Sequence, residues 1–359
     1  MIKLKENRSI LFCGAIIGLL SALLVKFGNP LNMGVCVACF LRDISGSLGL
    51  HRAAVVQFIR PEIIGIIMGA FLSAFIFKEF KSVGGSSPFI RFLLGIVVMI
   101  GALVFLGCPL RMVLRLGGGD LNAIIGLLGF FVGILIGIYF LQKGFSLRRN
   151  YKQNKIEGYF APLFAIFLFV LLVLRPAFIL FSEKGPGAMY APIGFSLAVG
   201  LLVGCLSQRT RLCMVGGLRD IVLFKDTYLI KGFIAIFVFV LMGNLAFSNF
   251  NLGFSNQPIA HTEGLWNFLG MVIVGWGSVL LGGCPLRQLI LAGEGNSDSL
   301  ITIMGLIVGG AIAHNFSLAA SPKGVPANSK IAVFIIIAIL GLISYFNIQR
   351  VKKGVNKSA

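Results

Sequence analysis

Long apolar runs recur along the whole chain, and they constrain its fold more than any other feature. Each run is about twenty residues long, the length that a helix needs to cross a hydrocarbon core roughly 30 Å thick. The composition agrees, with 57% hydrophobic residues, 12% charged residues and a mean hydropathy of +0.97. A water-soluble protein of 359 residues could not cover its surface with so few polar groups. The sequence therefore predicts an all-α polytopic membrane protein.

The apolar runs predict about ten transmembrane helices. Between them, two stretches at 28–60 and 207–228 are too polar and too rich in glycine to cross the membrane cleanly, and we interpret them as short re-entrant helices. The predicted spans are 10–27, 61–77, 89–107, 121–141, 159–181, 190–206, 229–247, 265–282, 299–316 and 331–348.

The distribution of basic residues predicts the orientation of these helices. Lysine and arginine concentrate at the start of the chain, in the loop 143–155 and in the tail after residue 349. Ten spans place all three regions on one side, so the positive-inside rule predicts that both termini are cytoplasmic. The expected location is the inner membrane of a prokaryote. Because the net charge of +19 clusters between apolar runs, it indicates topology and argues against nucleic-acid binding.

The chain contains an internal duplication. CVACFLRDI at 36–44 aligns with CMVGGLRDI at 213–221, and GCPLR occurs at both 107–111 and 283–287. The GCPLR cysteine follows the first cysteine by 72 residues in one half and by 71 in the other, so the two landmarks repeat in register.

One predicted span between the halves has no counterpart in the first half. An extra crossing turns the second copy upside down, which gives the inverted repeats found in many secondary transporters. The predicted units are a first repeat at 1–155, an extra helix and linker at 156–189, and a second, inverted repeat at 190–359.

The repeated GCPLR motif predicts an anion-binding helix start. Glycine ends the preceding helix and proline opens the next one, which places Cys108 and Cys284 near an N-cap beside free backbone N–H groups. Arg111 and Arg287 add a positive charge that is costly in lipid unless it faces a partner or a wet cavity. The alternative is a plain helix start whose arginine reaches the headgroups.

The second repeated motif carries Cys36 or Cys213 followed by an adjacent arginine and aspartate. We interpret Arg42 and Arg219 as contributors to an anion path. Adjacent helical residues point to different parts of the helix surface, so neither arginine needs to pair with its neighbouring aspartate. The aspartates are expected to cap helices or to pair with arginines across the interface.

The remaining cysteines are less informative. Cys36 and Cys39 are further candidates for the substrate path. They form a C-x-x-C that could instead act as a redox pair, but the second copy has Gly216 at the position of Cys39. Cys13 and Cys205 lie within ordinary apolar spans and are expected in the core. Seven cysteines with only three histidines show no zinc-type spacing, so neither a metal site nor a cofactor is predicted.

The thiols indicate what kind of anion would be bound. A thiol is a poor hydrogen-bonding group for hard oxyanions such as phosphate or sulfate. It suits soft, polarizable sulfur or selenium atoms, through weak S–H contacts or reversible exchange. One GCPLR in each inverted half would place two thiols at facing helix starts, where a substrate would cross.

At these residues the chain resembles the YeeE/YedE membrane family, and more narrowly its YedE-type branch, which is associated with selenium transport. The resemblance covers nearly the whole chain. It implies an hourglass-shaped protein with short re-entrant helices, and a central path along which Cys108, Cys284 and Cys213 hand a sulfur-containing anion inward. The stretches that carry the resemblance are GNPLNMGVCVACFLRD, GLHRAAVVQFIRPEIIG, FLGCPLR, SEKGPGAM, NQPIAHTEGLWNFLG, GGCPLRQLILAGEG and AHNFSLAASPKG.

These observations predict a permease, and not an enzyme, for a selenium- or sulfur-containing anion such as a thiosulfate-like ion. Its expected partners are that anion and the lipid bilayer. Two alternatives stay open: a membrane component that passes persulfide or selenide to a sulfurtransferase-like or selenium-handling protein in the cytoplasm, and a thiol oxidoreductase that uses Cys36 and Cys39.

Overall fold

The computed structural model describes residues 2–349, with side chains from residue 7 onward, so the basic tail used in the orientation argument lies outside the described residues. Almost all of the regular structure is helical. The helices are α1 Ile2–Lys26, α2 Val37–Ser47, α3 Pro61–Ile76, α4 Pro88–Phe105, α5 Pro109–Gly117, α6 Asn122–Gln142, α7 Lys155–Gly158, α8 Phe160–Leu174, α9 Ile193–Thr210, α10 Met214–Phe224, α11 Tyr228–Ala246, α12 Gly264–Leu280, α13 Pro285–Gly293, α14 Ser297–Asn315 and α15 Ala327–Phe346. Two short strands, β1 Val83–Gly84 and β2 Tyr151–Lys152, pair antiparallel, and a 3-10 turn occupies Pro186–Ala188.

The fold is an all-α polytopic membrane protein, as predicted. Within residues 2–349, eight helical segments are long and apolar enough to cross a membrane. The two remaining predicted spans correspond to α3 and α8, which have 16 and 15 residues. At 1.5 Å per residue they are about 24 and 22 Å long, so their flanking residues must complete the crossing.

Glycines bring helices of the two halves into close contact. Gly14 and Gly18 of α1 pack against the backbone of α11, and Gly65 and Gly69 of α3 pack in the same way against α9. An added Cβ at any of these glycines would meet backbone atoms at 2.8 Å or less, so a larger residue would separate the helices. The duplication relates α1 to α9 and α3 to α11. The contact of α1 with α11 is therefore equivalent to that of α9 with α3.

Two of the long segments are broken at their GCPLR motifs. The first breaks between α4 and α5, where Leu106 has a left-handed φ of 61°, and the second between α12 and α13, where Gly282 has a φ of 80°. In each case the following proline opens a nine-residue helix, as the GCPLR motif predicts. The two stretches expected to be re-entrant contain α2 and α10, each of 11 residues.

The loops and helix ends fall into two groups, at opposite ends of the long helices. One group, which we call the Asn7 face, is held together by a hydrogen bond from Lys231 to Asn7, an ion pair between Arg209 and Glu79, and the β1–β2 pairing. A backbone bridge between residues 145 and 348 brings the end of the described chain to the same face. The Asn7 face comprises Asn7 and residues 77–87, 143–154, 225–227 and 347–349.

The other group, which we call the Asn29 face, is equally well connected. The Asn29 side chain accepts from the backbone N–H of Ala191, Ser182 donates to the Gln57 carbonyl, and Val325 donates to Glu263. The Asn29 face comprises residues 27–36, 48–60, 176–191, 247–263 and 317–326. Between the two faces, α1 and its counterpart α9 run in opposite directions.

We expect the Asn7 face to be cytoplasmic. The exposed Arg149 and Lys184 lie on opposite faces, so single cysteines at these positions report orientation directly. In intact cells, Lys184→Cys should react with a membrane-impermeant maleimide, whereas Arg149→Cys should react only after the membrane is opened, because basic loops remain inside. The reverse pattern would overturn the orientation.

Candidate functional site

Four cysteines occupy equivalent positions at the starts of four short helices. Cys36, Cys108, Cys213 and Cys284 are the N-cap residues of α2, α5, α10 and α13, and each has an extended backbone conformation. The first four N–H groups of a helix have no partner within the helix, and the helix dipole makes this end positive. Each thiol therefore lies where a negative charge is stabilised.

The two thiols of the first half form a pair. The Sγ atoms of Cys36 and Cys108 are 4.0 Å apart, and both side chains are buried. The backbone N–H of Cys39 donates to the Cys36 sulfur at 3.4 Å. Cys39, the other member of the C-x-x-C, is oriented towards Arg111, whose Nη1 lies 3.5 Å from its sulfur. The close thiol–thiol contact of this half thus joins residues that are 72 apart in the chain.

The second half repeats this arrangement. The Cys213 and Cys284 side chains interact directly, and the backbone N–H groups of Arg287 and Met214 approach the Cys284 sulfur. The N–H of Gly216 donates to the Cys213 sulfur at 3.3 Å, as that of Cys39 does to Cys36. The duplication therefore produces two equivalent thiol pairs, and the third thiol of the first half has no counterpart.

Arg111 is fully buried and is occupied by backbone carbonyls. Its guanidinium donates to the carbonyls of Asn32 and Ile259, both at 3.1 Å, and to that of Leu106 at the α4–α5 break. With the Cys39 contact, these bonds engage all three nitrogens and four of the five N–H donors of the side chain. Arg111 thus satisfies the backbone carbonyls that would otherwise be free beside the first thiol pair.

Arg42 belongs to a buried ionic network. It pairs with the adjacent Asp43 at 2.7 Å, although the spacing of the motif did not require the two side chains to meet. Asp43 also accepts from Arg60 at 2.8 Å. Arg60 in turn donates to the carbonyls of Met189 and Pro186. The network fixes residues 176–191 over α2 on the Asn29 face.

The second thiol pair is reached from a large cavity on the Asn7 face. The cavity has a volume of about 960 Å³, and Cys213, Arg219 and Arg287 line it. Arg219 pairs with Asp220 at 2.8 Å, and Arg287 with Glu294 at 3.2 Å. The basic residues among its lining are Arg209, Arg211, Arg219, Lys225, Lys231 and Arg287, against the acidic Asp220 and Asp226.

The rim of this cavity is fixed by Glu79, which lies outside the membrane-spanning segments. A hydrogen bond from Gln208, assisted by Arg209 and Arg211, holds the pKa of the Glu79 carboxyl below its ordinary value. The carboxylate therefore stays ionised and orients two of the cavity's arginines. The net charge of the cavity remains positive, which attracts anions.

The structure is thus open at one thiol pair and closed at the other. Cys213 is 7% exposed, whereas Cys36, Cys39 and Cys108 are 1% exposed or less. On the closed side, the α2–α3 linker at 48–60 and residues 176–191 cover α2, through hydrogen bonds and the stacking of Phe58 on Tyr190 at 4.4 Å. The corresponding α10–α11 linker is only the turn 225–227, and within residues 2–349 no equivalent segment covers α10.

Other residues occupy less central positions. Cys13 is buried and contacts Thr210, and Cys205 is partly buried, in keeping with the core interpretation. His51 and His314 stack with ring centroids 4.5 Å apart, a contact that the sequence does not suggest. Among the described residues, no group of three or more His, Cys, Asp or Glu side chains could hold a metal ion.

Sequence reasoning missed three buried polar residues on the Asn29 face: Asn29, Arg60 and Glu62. A usable signal was present, because Arg60 and Glu62 flank the proline that opens an apolar span, and ionisable residues in a membrane segment are generally functional or paired.

Part of the chain is similar to a known family. Residues 209–348, less than half of the chain, match the model of the family described as sulphur transport. This match supports the resemblance to the YeeE/YedE sulfur-transport family that the sequence predicts; the selenium branch stays a prediction. The match covers α10 to α15, and therefore the second thiol pair.

Two curated relatives are similar to this chain. The thiosulfate transporter TsuA of Spirochaeta thermophila is 35% identical over 99 residues, which are 28% of this chain and 29% of that protein. The thiosulfate transporter TsuA of Escherichia coli is 30% identical over 128 residues, or 35% of this chain and 36% of that protein. The matches thus span about a third of each relative's length.

We predict that Cys213 is the thiol most accessible from the Asn7 face. In a Cys205→Ser background, a hydrophilic maleimide should label one site on the purified protein, because only Cys213 borders the open cavity. Cys213→Ser should remove the label, and Cys36→Ser should not. Equal labelling of the first thiol pair would show that the Asn29 side is not closed.

We predict different effects for the two GCPLR arginines. Arg111→Ala would leave three buried carbonyls without a donor, at a cost of about 1–3 kcal/mol each, and should lower the thermal stability in detergent markedly. Arg287 faces the cavity and binds no backbone carbonyl, so Arg287→Ala, which leaves Glu294 without its partner, should cost less stability than Arg111→Ala while it weakens anion binding, measured by calorimetry with thiosulfate. Equal stability of both variants would contradict this assignment.

Proposed function

We propose that this protein, which is similar to the sulphur transport family over residues 209–348, is a permease that carries a small sulfur- or selenium-containing anion into the cytoplasm. The observation that supports this most directly is the placement of four thiols at four helix N-termini, as two pairs, one of which borders a basic cavity. The names of the two relatives suggest thiosulfate or a similar anion as the substrate.

In this proposal the helix starts bind the negatively charged end of the anion, and the thiols bind its sulfur or selenium atom. Backbone N–H groups and helix dipoles stabilise the oxyanion end without a buried lysine or arginine at the contact. The thiol groups donate weak S–H hydrogen bonds to a terminal sulfur or selenium, which is large and polarizable. Because each contact is weak, the anion can leave one thiol pair for the next.

The path would lead from the Asn29 face to the Asn7 face. The anion would pass Cys36 and Cys108, then Cys213 and Cys284, and leave through the basic cavity. Contacts of α10 with α5 and of α13 with α2 keep the two thiol pairs close to each other. The buried Arg42–Asp43–Arg60 network and residues 176–191 would have to open for entry, so the described state is open towards the exit.

Two other functions would use the same residues. A component that passes persulfide or selenide to a sulfurtransferase-like or selenium-handling protein would dock that partner at the cavity. A thiol oxidoreductase would use the 4.0 Å contact of Cys36 with Cys108, in place of the C-x-x-C pair expected from the sequence. Uptake of radiolabelled thiosulfate into liposomes that contain only the purified protein supports the permease, because neither alternative moves an anion without a partner or an oxidant.

We predict that Cys108→Ser and Cys284→Ser abolish this uptake. Serine keeps the shape and the capping ability of the residue but lacks the polarizable sulfur. Cys13→Ser, in the core between α1 and α9, is the matched control and should transport normally. Full uptake by the double Cys108→Ser, Cys284→Ser variant would leave the anion-binding helix starts but eliminate the thiol mechanism. Competition among thiosulfate, selenosulfate and selenite then identifies the preferred soft atom.

A further inference from the structure

A second polar site lies outside the thiol path, at the start of α3. Glu62, the second residue of that helix, has no exposed surface. Its Oε1 accepts one hydrogen bond, from Asn29 Nδ2 at 2.8 Å, and its Oε2 has no hydrogen-bond partner among the described residues. An ionised carboxylate in such surroundings would be costly, because a buried charge normally needs an opposite charge and several donors.

No cation compensates this carboxyl in the described part of the chain. Arg60, two residues before it, is occupied by Asp43 and by two carbonyls of residues 176–191. The helices packed against α3 are α2, α8, α9 and α13, and α8 carries no titratable side chain. The titratable groups on and at the start of the other three are Cys36, Cys39, Arg42, Asp43, Cys205, Arg209, Cys284 and Arg287, and none is hydrogen-bonded or ion-paired to Glu62.

A second orphaned oxygen lies on the helix that faces Glu62. Gly200 of α9 packs directly against the Glu62 backbone, and Ser196, one turn earlier on the same helix, is fully buried with an Oγ that has no partner. The equivalent contact of α11 with α1 has no such polar pair: Gly14 packs on the Gly232 carbonyl as Gly200 packs on that of Glu62, and Ile10 lies one turn before Gly14. The fold can therefore make this helix contact with apolar side chains, and the polar pair has a use beyond packing.

Asn29 connects this carboxyl to the thiol path. Its side-chain amide also donates to the carbonyl of Gly34, two residues before Cys36, and its oxygen accepts from Ala191 at the end of the covering segment. A carboxylate accepts hydrogen bonds only, whereas a protonated carboxyl can also donate one. A proton on Glu62 would therefore change the hydrogen bonds that Asn29 and its neighbours can make. These residues lie beside the first thiol pair and beside the segment 176–191 that covers it.

We propose that Glu62 is a proton-binding site through which proton entry is coupled to anion transport. The inference rests on the proposed permease function and adds its driving ion. An anion that enters a negative-inside cell is opposed by about 2.3 kcal/mol per charge for each 100 mV, and every accompanying proton cancels one charge. The proton binds to the Glu62 carboxyl from the Asn29 face, is carried with the anion and is released towards the Asn7 face, with no covalent change.

The test compares uptake of thiosulfate into liposomes with and without a pH gradient, acid on the Asn29 side. For the wild type, a gradient of one unit should raise the steady-state accumulation by up to about tenfold for each proton carried. Glu62→Gln keeps the shape and the Asn29 contact but cannot titrate, so its accumulation should be the same with and without the gradient. Glu183→Gln, an exposed residue on the same face, is the matched control and should behave as wild type.

Several outcomes would overturn the proposal. These are full stimulation of Glu62→Gln by the gradient, a wild type insensitive to pH, or a wild type driven by sodium instead. If Glu62→Gln does not fold, Glu62→Asp retains a carboxyl and should shift the pH dependence of uptake; an unchanged pH profile refutes the proposal.

Infrared spectroscopy separates failure of this inference from failure of the permease function. If the wild type carries no sulfur or selenium anion at all, the permease proposal fails. The proton site can then be tested alone, as the infrared band of a protonated carboxyl that titrates with pH in the wild type and is missing in Glu62→Gln. Identical spectra of the two proteins at every pH would eliminate the site.

Discussion

The structure depends on how it satisfies the backbone groups released where two membrane helices break. No water is available in a hydrocarbon core, so each carbonyl freed by a break needs a donor from the protein. At the α4–α5 break these donors are arginines: Arg111 binds the Leu106 carbonyl and Arg115 binds that of Phe105 at 2.6 Å. Arg115 is itself neutralised by Asp120 at 2.6 Å. These side chains therefore make the break tolerable, and the break in turn places a thiol at a helix start.

The same requirement explains why two nearly identical motifs have different surroundings. At the α12–α13 break the neutral amide of Gln288 donates to the carbonyls of Leu281 and Gly283, both at 3.3 Å. Arg287 is therefore not needed for the backbone, and it extends into the cavity beside Glu294. In the first half Arg111 performs the backbone role and is buried. The first GCPLR motif thus lies in a closed part of the protein, whereas its copy borders the open cavity.

The sequence predicts well what depends on local chemistry. The apolar runs locate the spans, and the proline after each GCPLR cysteine correctly predicts a helix start, because both signals act within a few residues. The sequence predicts poorly the contacts between residues that are far apart in the chain. Nothing local indicates that Cys36 meets Cys108 while Cys39 turns to Arg111, or that Arg60 reaches residues 186 and 189. Such partners lie tens of residues apart, and only the packed helices select among them.

The use of cysteine at four helix starts is unfavourable for folding alone. A serine or aspartate N-cap stabilises a helix by about 1 kcal/mol relative to a residue that cannot cap. The sulfurs of Cys36 and Cys213 accept from the backbone at 3.4 and 3.3 Å, and sulfur is a weak acceptor. The N–H groups at these helix starts are therefore held loosely and remain available to an incoming anion.

In the proposed permease, a strong cap would compete with the anion for the same donors. A weak, polarizable cap would instead bind the soft atom of the anion while the backbone binds its charge. This argument applies to Cys36 and Cys213; Cys108 and Cys284 make no side-chain cap hydrogen bond, so their sulfurs do not compete for the N–H groups at their helix starts. Cys39 is different: it caps no helix, Gly216 takes its place in the second half, and its sulfur lies against the guanidinium that closes the path. The four N-cap thiols are therefore the part of the arrangement that both halves share, and Cys39 belongs only to the covered side of the molecule.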